Sequence, residues 1–372
     1  MLMSYRRIVA KFGTSLLTSG TDHLDLQIMA NLVKQVTQLY HQGKEIMIVS
    51  SGAIAAGRQK LRVVPEKKNT PFKQVLASVG QSRLMHAYEE LFSQHNITIA
   101  QALLTKADMS DRAGYLNARN TLLALIELGV ICIVNENDVV AIDEIQEMKF
   151  GDNDNLSAMV ANLIDADLLV LLTDVAGLYT ADPRHDPAAK LIPRVDKIEA
   201  AVEQLAQEST NRQGTGGMIT KIEAAKLATS SGTNVIIVNG REPDILLRIE
   251  RGENPGTFFP AQVNNIESKK RWMLSGLASK GRIMIDKGAT LALKEQNKSL
   301  LPAGVVEVKG NFQRGDIVDI LSEDGNPVGC GISNYGFAEI AKIKGEHSDK
   351  ISSLLGHDYG DEVIHRNNMV VF

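Results

Sequence analysis

The stretch Leu168-Leu169-Val170-Leu171-Leu172-Thr173 is an unbroken aliphatic run that ends in a hydroxyl and is followed by a carboxylate, Asp174. An apolar run of this length is typical of a strand that is buried on both faces, as in a parallel sheet covered by helices. Similar runs occur at four other places in the first two thirds of the chain: Arg7–Phe12, Glu45–Ser50, Val130–Asn135 and Asn234–Val238. The pattern predicts an α/β fold with a mainly parallel sheet.

Helical patterns separate these strands. In Leu24–His41, Tyr115–Leu128 and Leu156–Ile164, apolar residues recur near the helical period. Because strands alternate with helices, we expect the helices to sandwich the sheet. The polar turns at the carboxyl ends of the strands are then the expected place for a ligand.

The pattern changes after Gly281, where short strand candidates are separated by glycine and polar turns. These candidates are Arg282–Ile285, Gly304–Lys309, Asp316–Leu321, Pro327–Ile332 and Glu339–Ile343. They predict a small, mostly-β domain. With 372 residues the chain is long enough for two domains. We therefore predict a first domain at 1–262, a linker at 263–278 and a second domain at 279–372.

Composition narrows the class of protein. The chain carries 23% charged residues and a formal net charge of −4, which is typical of a soluble globular protein and unfavourable for general binding of nucleic acid. Cys132 and Cys330 lie far apart in apolar runs, so buried reduced thiols are expected, as in the cytoplasm. The sequence shows neither a secretory signal nor an apolar run that could span a bilayer, so no membrane association is expected.

Two motifs point to phosphoryl transfer to a polar small molecule. Gly151-Asp152-Asn153-Asp154-Asn155 concentrates carboxylates and amides, and Gly214–Lys221 pairs small residues with a lysine. A glycine-rich turn leaves backbone N–H groups free to bind phosphate, and the lysine adds a positive charge. Neither a P-loop nor Gly-x-Gly-x-x-Gly occurs in the sequence, which disfavours a Walker-type NTPase and a Rossmann dehydrogenase.

Further candidates follow the predicted strands. Lys11 leaves the first strand before small residues and suits a phosphate, although a solvated surface lysine is the alternative. Ser51 precedes a predicted helix start that suits a substrate carboxylate, and simple helix capping is its alternative. Asp138 suits an ammonium group.

The remaining candidates belong to the acidic motif and to the strand quoted first. Asn153 suits a carboxylate or an amide-like group, and Asp154 suits a lysine or a metal ion. The spacing of the acidic motif does not continue into a calcium loop. Thr173 and Asp174 suit the ribose or base of a nucleotide.

Taken in order along the whole chain, these motifs resemble the glutamate 5-kinase family, whose members join an amino-acid-kinase fold to a C-terminal PUA domain. The Leu178–Arg184 loop is shared with related kinases and discriminates poorly. The combination of the acidic motif, the glycine-rich motif and the PUA-like tail is more specific. The motifs that carry the resemblance are Lys11–Ser15, Ser51–Gly57, Asn135–Asp138, Gly151–Ala158, Leu178–Arg184 and Gly214–Lys221.

The resemblance implies ATP-dependent phosphorylation of the side-chain carboxylate of L-glutamate, the first step of proline biosynthesis, with Mg²⁺ accompanying ATP. It implies that Ser51, Asp138 and Asn153 bind glutamate and that Lys11, Asp154 and Lys221 form the catalytic set, in which Asp154 holds the two lysines. It assigns ATP binding to Lys11, Thr173, Asp174, Thr215, Gly216, Gly217, Met218, Ile219, Thr220 and Lys221.

The resemblance also implies partners and regulation. It suggests inhibition by proline, a homodimer or homotetramer, and hand-over of the product to glutamyl phosphate reductase. The stretch Ile142–Phe150 is longer than expected in some relatives, which would affect feedback control rather than chemistry. Two other interpretations are disfavoured. One is RNA binding by the PUA-like tail, because the basic run Lys269–Arg271 has few aromatic neighbours. The other is a kinase of the same fold that phosphorylates aspartate, carbamate or a nucleoside monophosphate.

Overall fold

The structure is a computed structural model, and it describes residues 5–61, 70–141, 153–208, 217–262 and 279–372. It divides into two compact units. The first comprises Met1–Met109 and Ala118–Asn265, and the second comprises Ser110–Asn117 and Ile266–Phe372. The predicted linker at 263–278 and the long stretch Ile142–Phe150 lie outside the described residues. The domain boundaries predicted above therefore stay predictions.

The first unit contains a seven-stranded sheet in the order β3-β4-β2-β1-β5-β6-β7. Neighbouring strands are parallel except for the pair of β6 and β7. All six residues of β5 are buried, so both faces of the sheet are covered at its centre. The strands are β1 (Arg7–Phe12), β2 (Glu45–Ser50), β3 (Ile99–Leu104), β4 (Ile131–Glu136), β5 (Leu168–Thr173), β6 (Asn234–Asn239) and β7 (Thr257–Phe259).

Helices connect these strands, as the alternating pattern predicts. In α2 the side chain of Asp25 caps the first turn, and the buried face carries Met29, Leu32, Val33 and Val36 against the core. The helices described up to residue 262 are α1 (Thr14–Leu17), α2 (Leu26–His41), α3 (Ala53–Leu61), α4 (Thr70–Ser93), α5 (Lys106–Ser110), α6 (Arg112–Glu127), α7 (Asn153–Leu163), α8 (Ala200–Glu208), α9 (Met218–Ser230) and α10 (Ile245–Glu250).

The register brings the carboxyl ends of the central strands to one edge of the sheet. Phe12, the last residue of β1, pairs with Ser50 on one side and with Leu172 on the other. Two backbone bonds continue the alignment beyond the strands: Ser51 N–H donates to Phe12 O at 3.0 Å, and Gly13 N–H donates to Leu172 O at 3.2 Å. The polar turns after these strands therefore lie side by side.

The second unit contains a five-stranded sheet in the order β12-β11-β10-β8-β9. The pair of β8 and β10 is parallel, and the other neighbouring pairs are antiparallel. The small mostly-β domain predicted from the sequence is confirmed. Its elements are β8 (Gly281–Ile285), α11 (Lys287–Gln296), β9 (Val305–Gly310), β10 (Ile317–Ser322), β11 (Pro327–Ile332), α12 (Phe337–Ile343), α13 (Ile351–Leu355) and β12 (Met369–Val371).

One strand prediction in this unit is wrong. Glu339–Ile343 belongs to the helix α12. The side chain of Glu339 accepts a hydrogen bond from the Gly336 N–H at 2.7 Å, which stabilises the first turn of a helix. Ile340 and Ile343 are buried three residues apart, as a helix face requires, and a five-residue segment is too short to distinguish this spacing from a strand.

Two expectations concern the environment of the chain. Cys132 and Cys330 are buried and free, as predicted. Burial raises the pKa of the Cys132 thiol to about 12, so this thiol stays protonated at neutral pH. Among the helices that the structure describes, none has the length and apolar character needed to cross a membrane.

Candidate active site

A buried cluster of opposite charges lies at the carboxyl edge of the first sheet. Asp154 is fully buried, and its Oδ1 lies 2.5 Å from Lys11 Nζ while its Oδ2 lies 3.1 Å from Lys221 Nζ. The hydroxyl of Thr220 donates to Asp154 Oδ2 at 2.9 Å. Two ammonium groups share one carboxylate here, so these three side chains together carry one net positive charge, which suits an anion.

Three separate elements supply this cluster. Lys11 is the last residue but one of β1. The parallel register places the carboxyl end of this strand at the edge of the sheet where a ligand is expected. Asp154 is the second residue of α7, and Thr220 and Lys221 lie in the first turn of α9. The carbonyl oxygen of Gly217, which caps α9, lies 2.9 Å from Thr220 Oγ1, where it shares the one hydroxyl hydrogen with Asp154, and 3.4 Å from Lys221 Nζ, which donates to it. The two hydrogen bonds hold both side chains beside the start of the helix.

The start of α9 is built to receive an anion. Gly217 is extended and provides no side-chain cap for the first turn. The N–H groups of that turn have no partner within the helix, and the helix dipole adds partial positive charge there. Met218 and Ile219 are half-buried at this position. Thr215 and Gly216, which the family resemblance also assigns to ATP binding, lie outside the described residues.

A second cluster, of amides and hydroxyls, adjoins the charged one because Asn153 precedes Asp154. Asn153 Nδ2 shares its two hydrogens among three nearby acceptors: Ser50 O at 3.0 Å, Ser51 Oγ at 2.9 Å and Asn135 Oδ1 at 3.0 Å. Asn153 Oδ1 is buried and has no hydrogen-bond partner among the described residues. This amide therefore links the ends of β2 and β4 and keeps one acceptor for a ligand.

The turn after β2 depends on a glycine. Gly52 has a φ of +104°, which disfavours a side chain. A Cβ at this position would also lie 3.2 Å from the side chain of Leu24. This turn leads Ser51 into α3, whose first residue is Ala53, so the helix start predicted after Ser51 is confirmed.

The other predicted site residues lie at neighbouring strand ends. Thr173 is buried at the end of β5, and its hydroxyl donates to Asp174 Oδ1 at 3.0 Å. Asp174 itself is exposed. Asp138 is half-buried in the turn that follows β4. The structure thus brings together Lys11, Asp154, Thr220 and Lys221, and separately Ser51 with Asn153.

Sequence reasoning missed two side chains of α4 that support the second cluster. Gln81 Oε1 accepts from Asn135 Nδ2 at 2.9 Å, and the Tyr88 hydroxyl lies 2.8 Å from Ser50 Oγ. Burial raises the pKa of Tyr88, so its hydroxyl stays neutral. The sequence contains a signal for these residues, because polar side chains recur every two turns along α4. The spacing alone does not show which part of the fold these side chains face.

The donor set gives little support for a metal held by the protein alone. Within the described residues, no group of three His, Cys, Asp or Glu side chains is placed to hold a metal ion. Asp154 already contacts two lysines. A divalent cation that accompanies a nucleotide would therefore take most of its ligands from phosphate and water.

Comparisons with known proteins agree with this architecture. The model of the amino acid kinase family matches residues 6–239, and that of the PUA domain matches residues 281–355. By fold and site the class is that of the amino acid kinases.

Three relatives define the family more closely. The glutamate 5-kinase of Dehalococcoides mccartyi (strain CBDB1) is 59% identical over 99% of this chain and 98% of that protein. Those of Herpetosiphon aurantiacus and Shewanella oneidensis are 50% and 47% identical, each over 99% of this chain and over 99% and 98% of the relative. The chain therefore belongs to the glutamate 5-kinase family, and it is a kinase.

Proposed function

We propose that this protein transfers the γ-phosphoryl group of ATP to the side-chain carboxylate of L-glutamate, giving L-glutamyl 5-phosphate and ADP in the first step of proline biosynthesis. The observation that carries the proposal is the buried cluster of Lys11, Asp154 and Lys221 beside the uncapped start of α9. The names of the relatives support the acceptor.

The chemistry asks little of the protein beyond alignment and charge. A carboxylate with an ordinary pKa of about 4.3 is already ionised at neutral pH, so it attacks phosphorus without a general base. One oxygen–phosphorus bond forms to the acceptor while the bond to the β-phosphate oxygen breaks and ADP leaves with the electron pair. The two ammonium groups of the cluster stabilise the negative charge that spreads over the transferred group. In this scheme Asp154 keeps the two lysines at fixed positions.

We assign the acceptor subsite to Ser51, Asp138 and Asn153. The hydroxyl of Ser51 and the start of α3 suit a carboxylate of the substrate. Asn153 Nδ2 is already engaged, and its remaining acceptor Oδ1 suits the ammonium group. This assignment differs from the one made on sequence, in which Asn153 binds a carboxylate or an amide. Asp138 supplies the negative charge for the same ammonium group.

We assign the ATP subsite to Lys11, to Thr173 and Asp174 at the end of β5, and to residues 215–221. The first turn of α9 offers N–H groups to phosphate, and Thr173 and Asp174 offer polar atoms to ribose or base. A Mg²⁺ ion that accompanies ATP would take most of its ligands from the phosphates and water, and it would neutralise part of the phosphate charge.

Four finer features complete the proposal and rest on the family resemblance: inhibition by proline, a homodimer or homotetramer, hand-over of the labile product to glutamyl phosphate reductase, and a cytoplasmic location. The free buried thiols agree with a reducing compartment. Titration with proline at subsaturating glutamate tests the first feature. Unchanged turnover at saturating proline would remove it.

The decisive test is an acceptor comparison. Purified protein, ATP and Mg²⁺ are incubated with glutamate, aspartate or carbamate, and hydroxylamine traps any acyl phosphate. We expect product with glutamate, and we expect the rate of product formation to fall about 10²-fold or more in Lys221→Ala and Asp154→Ala. Lys226→Ala is the matched control, because Lys226 lies on the same helix but is exposed and pairs with Glu203 at 2.6 Å. Turnover with another acceptor alone would contradict the proposal.

A further inference from the structure

Helix α4 carries a polar stripe that faces the acceptor side of the site. The stripe consists of Gln74, Gln81 and Tyr88, which lie at seven-residue intervals in Thr70–Ser93. Seven residues are nearly two full turns, so the three side chains share one face of the helix. Each makes a hydrogen bond to a different part of the carboxyl edge of the sheet.

The contacts follow the order of the strands. Gln74 Nε2 donates to the carbonyl of Val139, in the turn that carries Asp138, at 3.1 Å. Gln81 Oε1 accepts from Asn135 Nδ2, at the end of β4, at 2.9 Å. The hydroxyl of Tyr88 lies 2.8 Å from Ser50 Oγ, at the end of β2. The three anchored segments are thus those that carry or adjoin Asp138, Asn153 and Ser51.

Two of these bonds reach the subsite through a single intermediate residue. Asn135 Oδ1 accepts from Asn153 Nδ2 at 3.0 Å, so Gln81 fixes the amide that orients Asn153. Ser50 Oγ uses its one hydrogen to donate to Ser51 O at 2.9 Å. In the bond between Tyr88 and Ser50, the Tyr88 hydroxyl is therefore the donor. The relay from Tyr88 through Ser50 is buried throughout, and the one from Gln81 is buried at Asn135 and Asn153, where hydrogen bonds hold geometry most firmly.

The backbone of α4 packs directly against the backbone of α3, which begins just after Ser51 and Gly52. A Cβ at Gly80 would lie 1.7 Å from the carbonyl oxygen of Ala53, the first residue of α3. A Cβ at Gly57 would lie 2.0 Å from Leu76 O. Because the two helices touch through their backbones, α4 cannot slide along α3 without losing this contact. The helix that carries the stripe is therefore fixed in position next to the turn of Ser51 and Gly52.

We infer that Gln81 and Tyr88 are positioning residues for the acceptor, which set the affinity for the acceptor amino acid while leaving ATP binding and the transfer step nearly unchanged. The inference rests on the proposed function, since it assumes that Ser51 and Asn153 bind the acceptor. The lysine cluster is attached to Asp154, Thr220 and Gly217 instead, and the stripe makes no described contact with these residues.

The test is steady-state kinetics of the full chain with Gln81→Met and Tyr88→Phe. Each variant keeps the shape of the side chain and removes one hydrogen-bonding group. We expect the KM for glutamate to rise about 5- to 10-fold in each, as a lost net hydrogen bond implies. The KM for ATP and kcat should stay within about twofold, because the bonds of the lysine cluster are untouched.

Two control variants match these changes. Tyr40→Phe removes a hydroxyl that donates to Gly129 O at 2.9 Å, away from the carboxyl ends of the strands, and Ser82→Ala removes the exposed hydroxyl next to Gln81. Both should match wild type. A KM for glutamate that does not rise in Gln81→Met and Tyr88→Phe, or an equal rise in the KM for ATP, would overturn the inference. Absence of glutamate turnover by wild type would instead contradict the proposed function.

Discussion

At the scale of single residues, Asp154 and Asn153 divide the site into two halves. The carboxylate of Asp154 lies between Lys11 and Lys221, and the neighbouring amide of Asn153 lies between the ends of β2 and β4. Because both residues belong to the first turn of α7, one helix start fixes the distance from the lysines to the proposed acceptor subsite. Alignment of this kind is the main contribution a protein makes to phosphoryl transfer.

We predict that Asp154→Asn lowers kcat about 10²-fold or more, since the lysines lose the charge that holds them. Breaking a buried ion pair also costs roughly 3–5 kcal/mol of folding stability. The measurements are initial rates of hydroxamate formation and urea unfolding followed by circular dichroism. Glu203→Gln, which breaks an exposed pair, should cost at most about 1 kcal/mol. Equal effects of the two substitutions would contradict the role given to Asp154.

At the scale of helices and strands, the buried parallel strands were the easiest to predict. β1, β2 and β5 have the bounds expected from sequence, and β4 and β6 differ by one residue at their ends. Continuous aliphatic runs mark such strands because both of their faces are buried. β3 (Ile99–Leu104) was not predicted, since it is half-buried and contains two alanines and a glutamine.

The candidate site was predictable where a motif carries charge, and less so where it depends on packing. Lys11 lies near the end of a predicted strand, Asp154 lies in the acidic motif and Lys221 ends the glycine-rich motif, so the sequence suggests these three charged residues directly. Gln81 and Tyr88 lie in the middle of a 24-residue helix, and only the tertiary fold shows which of its polar side chains face the strand ends. Local patterns do not contain that information.

We predict that Gly80→Ala destabilises the protein even though alanine is the better helix former. The gain in helix propensity is about 1 kcal/mol, but the new Cβ would lie 1.7 Å from Ala53 O, and relieving such a clash costs about 1–3 kcal/mol or more. The KM for glutamate should rise as well, because Ala53 follows the turn of Ser51. Thermal unfolding and kinetics provide the measurements. Ser78→Ala, at an exposed position of the same helix, should leave both unchanged, and a fully stable Gly80→Ala would contradict the packing argument.

At the scale of the whole molecule, each of the two units has its own sheet and its own apolar core. In the second unit Asp316 is a buried carboxylate that pairs with Arg112 and with Lys280. Burial raises its pKa, but the hydrogen bond from Gln313 N–H and the two cations outweigh that effect, and the pKa lies below the ordinary 3.8. The ionised form therefore stabilises this unit.

A carboxylate with a lowered pKa in the folded state contributes stability that is fully present above its unfolded pKa and is lost as the pH falls through the folded value. We predict that Asp316→Asn is about 1–3 kcal/mol less stable than wild type at pH 7, and that the difference shrinks below about pH 4. Urea-unfolding midpoints from pH 7 to pH 3 measure this. Asp324→Asn, in an exposed turn, is the control. A difference that is independent of pH would contradict the assignment.

The most direct test of the central claim follows oxygen from acceptor to phosphate. Glutamate carrying ¹⁸O in its side-chain carboxylate is incubated with ATP and the enzyme, and hydroxylamine cleaves the product at the acyl carbon, so the released phosphate keeps the oxygen that attacked phosphorus. We predict one ¹⁸O in each phosphate that accompanies a hydroxamate, with label transfer falling about 10²-fold or more in Lys221→Ala. Phosphate without label would show that the carboxylate of glutamate is not the acceptor, and would contradict the account.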